Sequence, residues 1–351
     1  MPDRLVVSAS PHIREDISVE KVMYGVVIAL VPALIGSVYF YGLRALWVIL
    51  ISSATAIATE AIIQRARRVP VTVADGSALV AGILLAFNLP AGVPFWVPIV
   101  GSFFAIAIGK QVFGGLGYNI VNPALAGRAF LLASWPVQMT TTWLASRNGT
   151  LSGVSLRGID VLTQATPLTL WKKAGAVLAD PASTTHQLVQ ARQVLADLSS
   201  PESTMNLFLG NVGGCIGETS ALLLLIGAAY LMFKRYIGWR IPVSYIVTVA
   251  ALAWIFGGPD GFFTGNALFH VLAGGLILGA FYMATDMVTS PVSPRGMIIF
   301  GVGCGLLTTI IRLVGGYPEG VCYSILIMNV ATPLIDRTTR PKRLGEVKTR
   351  A

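Results

Sequence analysis

Long apolar runs alternate with short polar connections along most of the chain. Ten runs have the length and composition of membrane-spanning helices. They cover residues 22–42, 45–64, 76–90, 94–114, 118–135, 214–233, 241–257, 267–285, 295–314 and 320–336. The third and fifth runs are short and contain Asn88, Pro90, Asn122 and Pro123, which is typical of broken or tilted helices that line a polar interior. The pattern predicts an all-α polytopic membrane protein with about ten transmembrane helices.

One long polar segment separates the two groups of five runs. The predicted organisation has five consecutive parts. These are an N-terminal arm (1–21), a first five-helix half (22–136), the polar segment (137–213), a second five-helix half (214–336) and a basic tail (337–351). Within the polar segment, apolar residues near helical spacing predict an exposed helix over 183–200. We expect this segment to form a small cap on one face of the membrane.

A weak internal repeat relates the two halves. An Asn122-Pro123 pair in the first half has a counterpart in Asn329 and Pro333 of the second, and each half has a glycine pair after its fourth run. Because five spans is an odd number, the second copy would insert upside down relative to the first. The sequence therefore predicts two inverted five-helix repeats with a site at their interface.

The composition agrees with this class. The chain of 351 residues is 54% hydrophobic and 12% charged, and its mean hydropathy is +0.73, whereas soluble domains carry about 25% charged residues. The net charge of +9 comes from residues at the ends of spans, which indicates membrane topology and a lipid environment, with no nucleic-acid footprint. The three cysteines and three histidines stand far apart, so we predict no metal site, and any redox chemistry needs an organic cofactor.

The distribution of basic residues predicts the orientation. Of the 25 lysines and arginines, about seventeen lie on the side of the membrane that holds both termini, and most of the others belong to the long polar segment. Long segments weigh little in the positive-inside rule. Both termini are therefore predicted to be cytoplasmic, and residues 137–213 to be extracytoplasmic.

Charged and amide side chains within or beside spans are candidates for function, because a charge at bilayer depth costs at least about 2.5–3.5 kcal/mol. Glu218 and Asp286 are predicted ion-pathway residues, since apolar runs flank them. Arg128 suits a phosphate group, a carboxylate or a lipid headgroup equally. Asn119 and Asn122 are three residues apart, so they share a face if the chain is helical there. Amides on such a face suit a flavin ring or contacts between helices.

Thr166 and Pro167 lie in one stretch of the polar segment, Asp160-Val-Leu-Thr-Gln-Ala-Thr166-Pro-Leu168. A threonine followed by proline is typical of a helix start, with a hydroxyl N-cap and proline at the first helical position. Such a start also presents backbone N–H groups and a positive dipole end to a phosphate.

This stretch resembles the flavinylation motif of the RnfD family, the D subunits of bacterial Rnf electron-transport complexes. The homologous NqrB component of the sodium-translocating NADH:quinone reductase carries a similar motif. Gln164 replaces a glycine that many members have. Further similar motifs follow in the family's order. They are Asn122-Pro-Ala-Leu-Ala-Gly-Arg128, Ile216-Gly-Glu218-Thr-Ser220, Met283-Ala-Thr-Asp286, Tyr317-Pro-Glu319-Gly320 and Asn329-Val-Ala-Thr-Pro333-Leu-Ile-Asp336.

The resemblance implies a flavin-bearing membrane subunit of an ion-translocating ferredoxin:NAD oxidoreductase in the bacterial inner membrane. It implies FMN bound covalently to Thr166 through a phosphoester that a flavin transferase makes, and a second, non-covalent flavin such as riboflavin within the bundle. It also implies partners: a second flavin-bearing subunit and iron–sulfur subunits of the same complex. The transported ion would be Na⁺ or H⁺.

Two alternatives remain open on the residues alone. The short N-terminal arm favours the Rnf protein over the NqrB component of the quinone reductase, which usually starts with a longer extension. A channel or transporter without redox chemistry would also have an inverted repeat and broken polar spans.

Overall fold

The computed structural model describes residues 17–144, 165–258, 261–317 and 319–340, and every regular element in them is a helix. The first half of the chain contributes six helices. They are α1 (Val19–Tyr41), α2 (Leu43–Ala66), α3 (Ser77–Phe87), α4 (Trp96–Ile106), α5 (Pro123–Ser134) and the short α6 (Pro136–Thr140). A π-helical turn, Ala107–Gln111, continues α4.

The polar segment contains three described helices, α7 (Pro167–Ala179), α8 (Thr185–Leu198) and α9 (Pro201–Leu209). Helix α8 confirms the helix expected over 183–200. Its start is a capping box, in which Thr184 accepts from the Gln187 N–H and the Gln187 side chain accepts from the Thr184 N–H. The segment's structure is therefore helical where apolar residues recur at helical spacing.

The second half of the chain forms six helices. They are α10 (Ala221–Phe233), α11 (Arg240–Phe256), α12 (Ala267–Leu272), α13 (Leu276–Leu278), α14 (Pro294–Leu313) and α15 (Val321–Thr338). Helices α12 and α13 are two pieces of one predicted span, broken at residues 273–275, and a π-helical turn, Gly279–Met283, continues α13. The all-α membrane fold predicted from the sequence is confirmed.

Each of the ten predicted spans contains helix, but several helices are shorter than expected. The fifth run is helical only from Pro123, and the sixth only from Ala221, because irregular polar backbone precedes both helices. By length and composition, three of the described helices, α1, α2 and α14, are able to cross a membrane alone. The count of ten crossings therefore stays a prediction.

The two halves share several helix contacts. Helix α2 packs on α3 and α4, and α4 packs on α5; likewise α11 packs on α12 and α14, and α14 packs on α15. The first helices of the halves, α1 and α10, contact each other, and so do the last ones, α5 and α15. At the α5–α15 contact, the Asn122 backbone N–H lies within hydrogen-bond distance of the Asn329 side-chain amide, whose oxygen accepts at 3.1 Å once the amide is turned to suit its neighbours. These contacts support the predicted inverted repeat, which stays a prediction.

Glycines allow the closest helix approaches. A Cβ added at Gly305 would lie 2.6 Å from the Cβ of Thr248 in α11. The tightest approach joins the first helices of the two halves: a Cβ at Gly227 in α10 would lie 1.9 Å from the carbonyl oxygen of Ala29 in α1. Backbone cannot move away as a flexible side chain does.

We expect Gly227→Ala to lower the free energy of unfolding by about 1–3 kcal/mol, because overpacking a close helix contact costs that much. Thermal unfolding of the purified protein in detergent measures the change. Gly175→Ala in α7 is the matched control, since a Cβ there has no atom within 4 Å. Equal midpoints for the two variants would contradict the close contact.

Candidate functional site

Thr166 is the N-cap of α7, as the threonine–proline pair predicts. Its backbone is extended (φ −68°, ψ 152°) and Pro167 occupies the first helical position. The Thr166 hydroxyl oxygen accepts from the Thr169 N–H at 3.3 Å and lies 2.8 Å from the Thr169 hydroxyl. The residues of the motif before Ala165 lie outside the described ranges. A half-buried hydroxyl therefore stands at the positive end of a helix dipole.

Leu168 fixes α7 to the membrane helices. Its side chain is 3% exposed and packs with Leu207, Phe269 and Ala273. It lies against the break between α12 and α13, where a Cβ on Gly274 would be 2.6 Å from the Leu168 Cδ1. Gly274 has a φ of +72°, a conformation that favours glycine. The break in one span thus receives the side chain that positions Thr166.

Lys172 adds a polar contact between α7 and the loop before α15. Its ammonium donates to the carbonyl oxygens of Tyr317, at 3.1 Å, and of Gly315. Partial burial lowers the pKa of Lys172. Two contacts therefore hold the first two turns of α7: the apolar contact of Leu168 and the polar contact of Lys172.

A buried ion-pair cluster lies beside Thr166. Arg128 in α5 is 6% exposed. Its guanidinium lies 3.3 Å from the Glu218 Oε1, contacts Glu319 directly and donates to the side-chain oxygen of Asn88. The thiol of Cys215 lies 3.9 Å from the same guanidinium. One arginine thus pairs with two carboxylates, of which Glu218 is buried and Glu319 is partly exposed.

The break between α12 and α13 makes room for both carboxylates. The Gly275 N–H donates to the Glu319 Oε1 at 3.3 Å, and a Cβ on Gly275 would lie 2.5 Å from the Glu218 Oε1. Arg312 in α14 donates to the carbonyl oxygens of His270, at 2.5 Å, and Ala273, at 3.2 Å. Because the broken helix leaves these carbonyls without helical partners, Arg312 satisfies them.

Two pockets meet at Thr166. The larger, of about 520 Å³, is lined by Arg128, Trp143, Tyr317 and Glu319 among others. The smaller, of about 340 Å³, is lined among others by Glu218 and Glu319. Thr166 and Glu319 line both pockets. The structure therefore brings together three of the predicted residues, Thr166, Arg128 and Glu218.

The donor atoms of Cys215, Glu218 and Glu319 lie within 4.8 Å of one another, a spacing that a metal ion could bridge. The guanidinium of Arg128 already supplies positive charge at this place. We therefore describe the cluster as an ion-pair site, and the prediction that the chain has no metal site stays a prediction.

The other predicted residues, Asn119, Asn122 and Asp286, line a separate cleft of about 870 Å³. The expectation that the two asparagines share a helical face is wrong, because α5 begins only at Pro123. Asn122 is its N-cap: the side-chain oxygen accepts from the Ala124 N–H at 3.0 Å, and the amide donates to the Met283 carbonyl at 3.4 Å. The Asp286 carboxylate accepts from the Val288 N–H at 3.3 Å.

Sequence reasoning missed several residues of these sites. Glu319 was visible only as part of a family-like motif, and Asn88 only as a polar residue in a short span. Lys110 counts among the cytoplasmic charges in the sequence, yet it is 2% exposed and paired with Glu60. Asp75 suits the N-cap of α3, but Gly76 holds that position, and Asp75 accepts instead from the Ser77 N–H at 2.8 Å.

We expect Arg128→Met to destabilise the fold by about 3–5 kcal/mol, because the change leaves the carboxylates of Glu218 and Glu319 without their counter-charge. The triple variant Arg128→Met/Glu218→Gln/Glu319→Gln is expected to recover most of the loss. Thermal unfolding of the three-site variant, the single variant and the unmodified protein measures this. Equal destabilisation of both variants would contradict the ion-pair account.

Comparison with known proteins identifies the family of the chain. The model of the NQR2, RnfD, RnfE family matches residues 6–345. The D subunit of the proton-translocating ferredoxin:NAD(+) oxidoreductase complex of Clostridium ljungdahlii is 48% identical over 340 residues, 97% of this chain and 96% of the relative. The D subunit of the Na(+)-translocating ferredoxin:NAD(+) oxidoreductase complex of Acetobacterium woodii is 49% identical over 346 residues, 98% and 96% of the two chains.

A more distant relative covers the chain almost as fully. The D subunit of the ion-translocating oxidoreductase complex of Stutzerimonas stutzeri is 40% identical over 337 residues, 93% of this chain and 92% of the relative. The family match covers both halves, the polar segment with Thr166 and the ion-pair cluster. The chain is therefore a membrane protein that belongs to the NQR2, RnfD, RnfE family.

Proposed function

We propose that this chain is the flavin-bearing RnfD component of an Rnf-type complex, which couples electron transfer between ferredoxin and NAD to the movement of Na⁺ or H⁺. The names of its relatives describe such complexes. The single observation that carries the proposal is the placement of Thr166 at the start of α7, between two pockets that also contact the Arg128 cluster.

The residues around Thr166 fit FMN esterified through its phosphate. The first N–H groups of α7 and its dipole favour a negative group at this position. The Nε of Arg128 is buried and has no hydrogen-bond partner, and Arg128 lines the pocket that Thr166 lines. An arginine with an unused donor beside an attachment hydroxyl suits a phosphate. Trp143 and Tyr317 line the same pocket and offer aromatic surface to a ring.

The covalent bond keeps the cofactor on a face of the membrane that is open to bulk water. FMN would supply the electron-carrying chemistry there, exchanging electrons with a second flavin-bearing subunit of the complex. The chain's own residues hold and orient the group, and a separate flavin transferase would form the bond. Iron–sulfur subunits would complete the electron path. In this role Thr166 lies outside the cell and both termini lie in the cytoplasm.

The cleft of about 870 Å³ is our candidate site for a non-covalent flavin such as riboflavin. Apolar side chains form most of its lining, with Asn119, Asn122 and Asp286 as polar groups. This mixture suits an isoalloxazine ring, whose faces are apolar and whose edge carries hydrogen-bonding atoms.

Covalent attachment predicts a fluorescent band after denaturing electrophoresis of the protein co-expressed with the flavin transferase. We expect Thr166→Ala to abolish this band and Thr141→Ala to keep it, since Thr141 is an exposed threonine of the described part of the same segment. Immunoblotting of the membrane fraction controls for insertion. A band that persists in Thr166→Ala moves the attachment site elsewhere, and its absence from the unmodified protein favours a channel.

The second cleft makes a separate prediction. We expect Asn119→Leu to reduce the flavin released by acid at least tenfold, because the change removes a polar group from the cleft, and to leave the covalent band intact. Tyr118→Phe is the control, since Tyr118 is 71% exposed. Chromatography of the acid extract measures the released flavin. Equal release from both variants would contradict the assignment of this cleft.

A further inference from the structure

A second buried ion pair, Lys110 with Glu60, lies away from Thr166 and the Arg128 cluster. The Lys110 ammonium lies 2.6 Å from the Glu60 Oε1 and 2.6 Å from the Ser77 hydroxyl oxygen. Glu60 is 1% exposed, Lys110 2% and Ser77 6%. The three residues come from α2, α3 and the π-helical turn that continues α4. The ammonium thus contacts two side-chain oxygen atoms where three helical elements meet.

The two oxygens of the Glu60 carboxylate differ in their hydrogen-bond partners. Its Oε1 accepts from Lys110, from the Gln111 amide at 2.8 Å and from the Gln64 amide at 3.3 Å. Its Oε2 is buried and has no hydrogen-bond partner. A single ammonium cannot engage both oxygens here, whereas a small metal cation is often held by both oxygens of one carboxylate. The unpartnered oxygen is an acceptor that a different cation could use.

The Ser77 hydroxyl is oriented as a cation ligand. It donates its proton to the Asp75 Oδ1 at 2.5 Å, so its lone pairs face the Lys110 ammonium. Hard monovalent and divalent cations take such oxygen ligands. Asp75 also accepts from the Ser77 N–H, which holds the carboxylate and the hydroxyl in this relation. The Glu60 and Ser77 oxygens therefore favour a positively charged group, whether it is an ammonium or a metal ion.

Lys110 can leave this position. It lies on the π-helical turn Ala107–Gln111, where the Val112 N–H donates to the Ala107 carbonyl at 3.0 Å, and such turns occur frequently at functional sites. Lys110 and Ser77 line the cleft of about 870 Å³. Asp286 lines the same cleft, so a displaced ammonium meets another carboxylate there. The four-carbon stem of a lysine is flexible enough for such a swing.

We propose that Glu60 and Ser77 form a monovalent-cation site and that the Lys110 ammonium is its built-in occupant, which a free Na⁺-like ion displaces. The exchange conserves charge, because one positive charge leaves Glu60 as another arrives. A divalent ion would add a charge that no further carboxylate in direct contact with Lys110 neutralises among the described residues. The inference stands apart from the covalent flavin at Thr166, which none of the three residues contacts. Lys110 and Ser77 do line the cleft proposed for a non-covalent flavin.

The test uses the purified full chain in detergent, with thermal unfolding followed in NaCl and in N-methylglucamine chloride at equal ionic strength. Lys110→Met removes the ammonium but keeps most of the stem. We expect it to bind Na⁺ at least tenfold more tightly than the unmodified protein, seen as stabilisation at lower NaCl. The double variant Lys110→Met/Glu60→Gln is expected to lose this gain. Lys173→Met, at an exposed lysine of α7, is the matched control.

A sodium response in Lys110→Met no larger than in the double variant overturns the site. A second measurement needs no substitution, in case Lys110→Met fails to fold. Reductive methylation of the unmodified protein, read by peptide mass spectrometry, is expected to modify Lys110 at least threefold faster in Na⁺ than in N-methylglucamine. An unchanged rate overturns the displacement. In-gel flavin fluorescence of the same samples reports the flavin proposal independently.

Discussion

The burial of charge among apolar helices is the constraint on which this structure depends. Arg128 illustrates it: a guanidinium inside the bundle persists because Glu218 and Glu319 contact it, and those carboxylates in turn need the arginine. Removing one partner from such a pair costs far more than the pair contributes. The loops before α10 and α15 and the break between α12 and α13 are therefore tied to α5 by electrostatics, at the place where the two halves of the chain meet.

The irregular backbone of the broken span lies in contact with the buried charged residues. The break at residues 273–275 frees carbonyl oxygens that Arg312 satisfies, and it exposes the Gly275 N–H to Glu319. In lipid, unsatisfied backbone groups of this kind would be very costly, so broken helices occur where protein groups replace the lost hydrogen bonds. The same feature that interrupts the span thus creates the polar lining of the site.

The sequence was sufficient for the class of fold, since runs of apolar residues report directly on spans. It was also sufficient to identify Thr166 as a helix N-cap, because the start of a helix depends on local residues and Pro167 follows directly. It could not supply the partners of Arg128, since Glu319 lies 191 residues further along the chain. Lys110 counts among the charges predicted on the cytoplasmic side, but nothing in the sequence indicates that its side chain is buried against Glu60, 50 residues away. Asn119 and Asn122 meet in one cleft through a loop, which helical periodicity does not describe.

The seating of Leu168 against Gly274 has a mechanical consequence. The helix that starts at Thr166 rests on the discontinuity of a membrane-embedded helix, and the short piece beyond that discontinuity continues into the π-helical turn that ends beside Asp286. Thr166 and the far cleft are therefore connected through one short helical piece, although they lie in separate pockets.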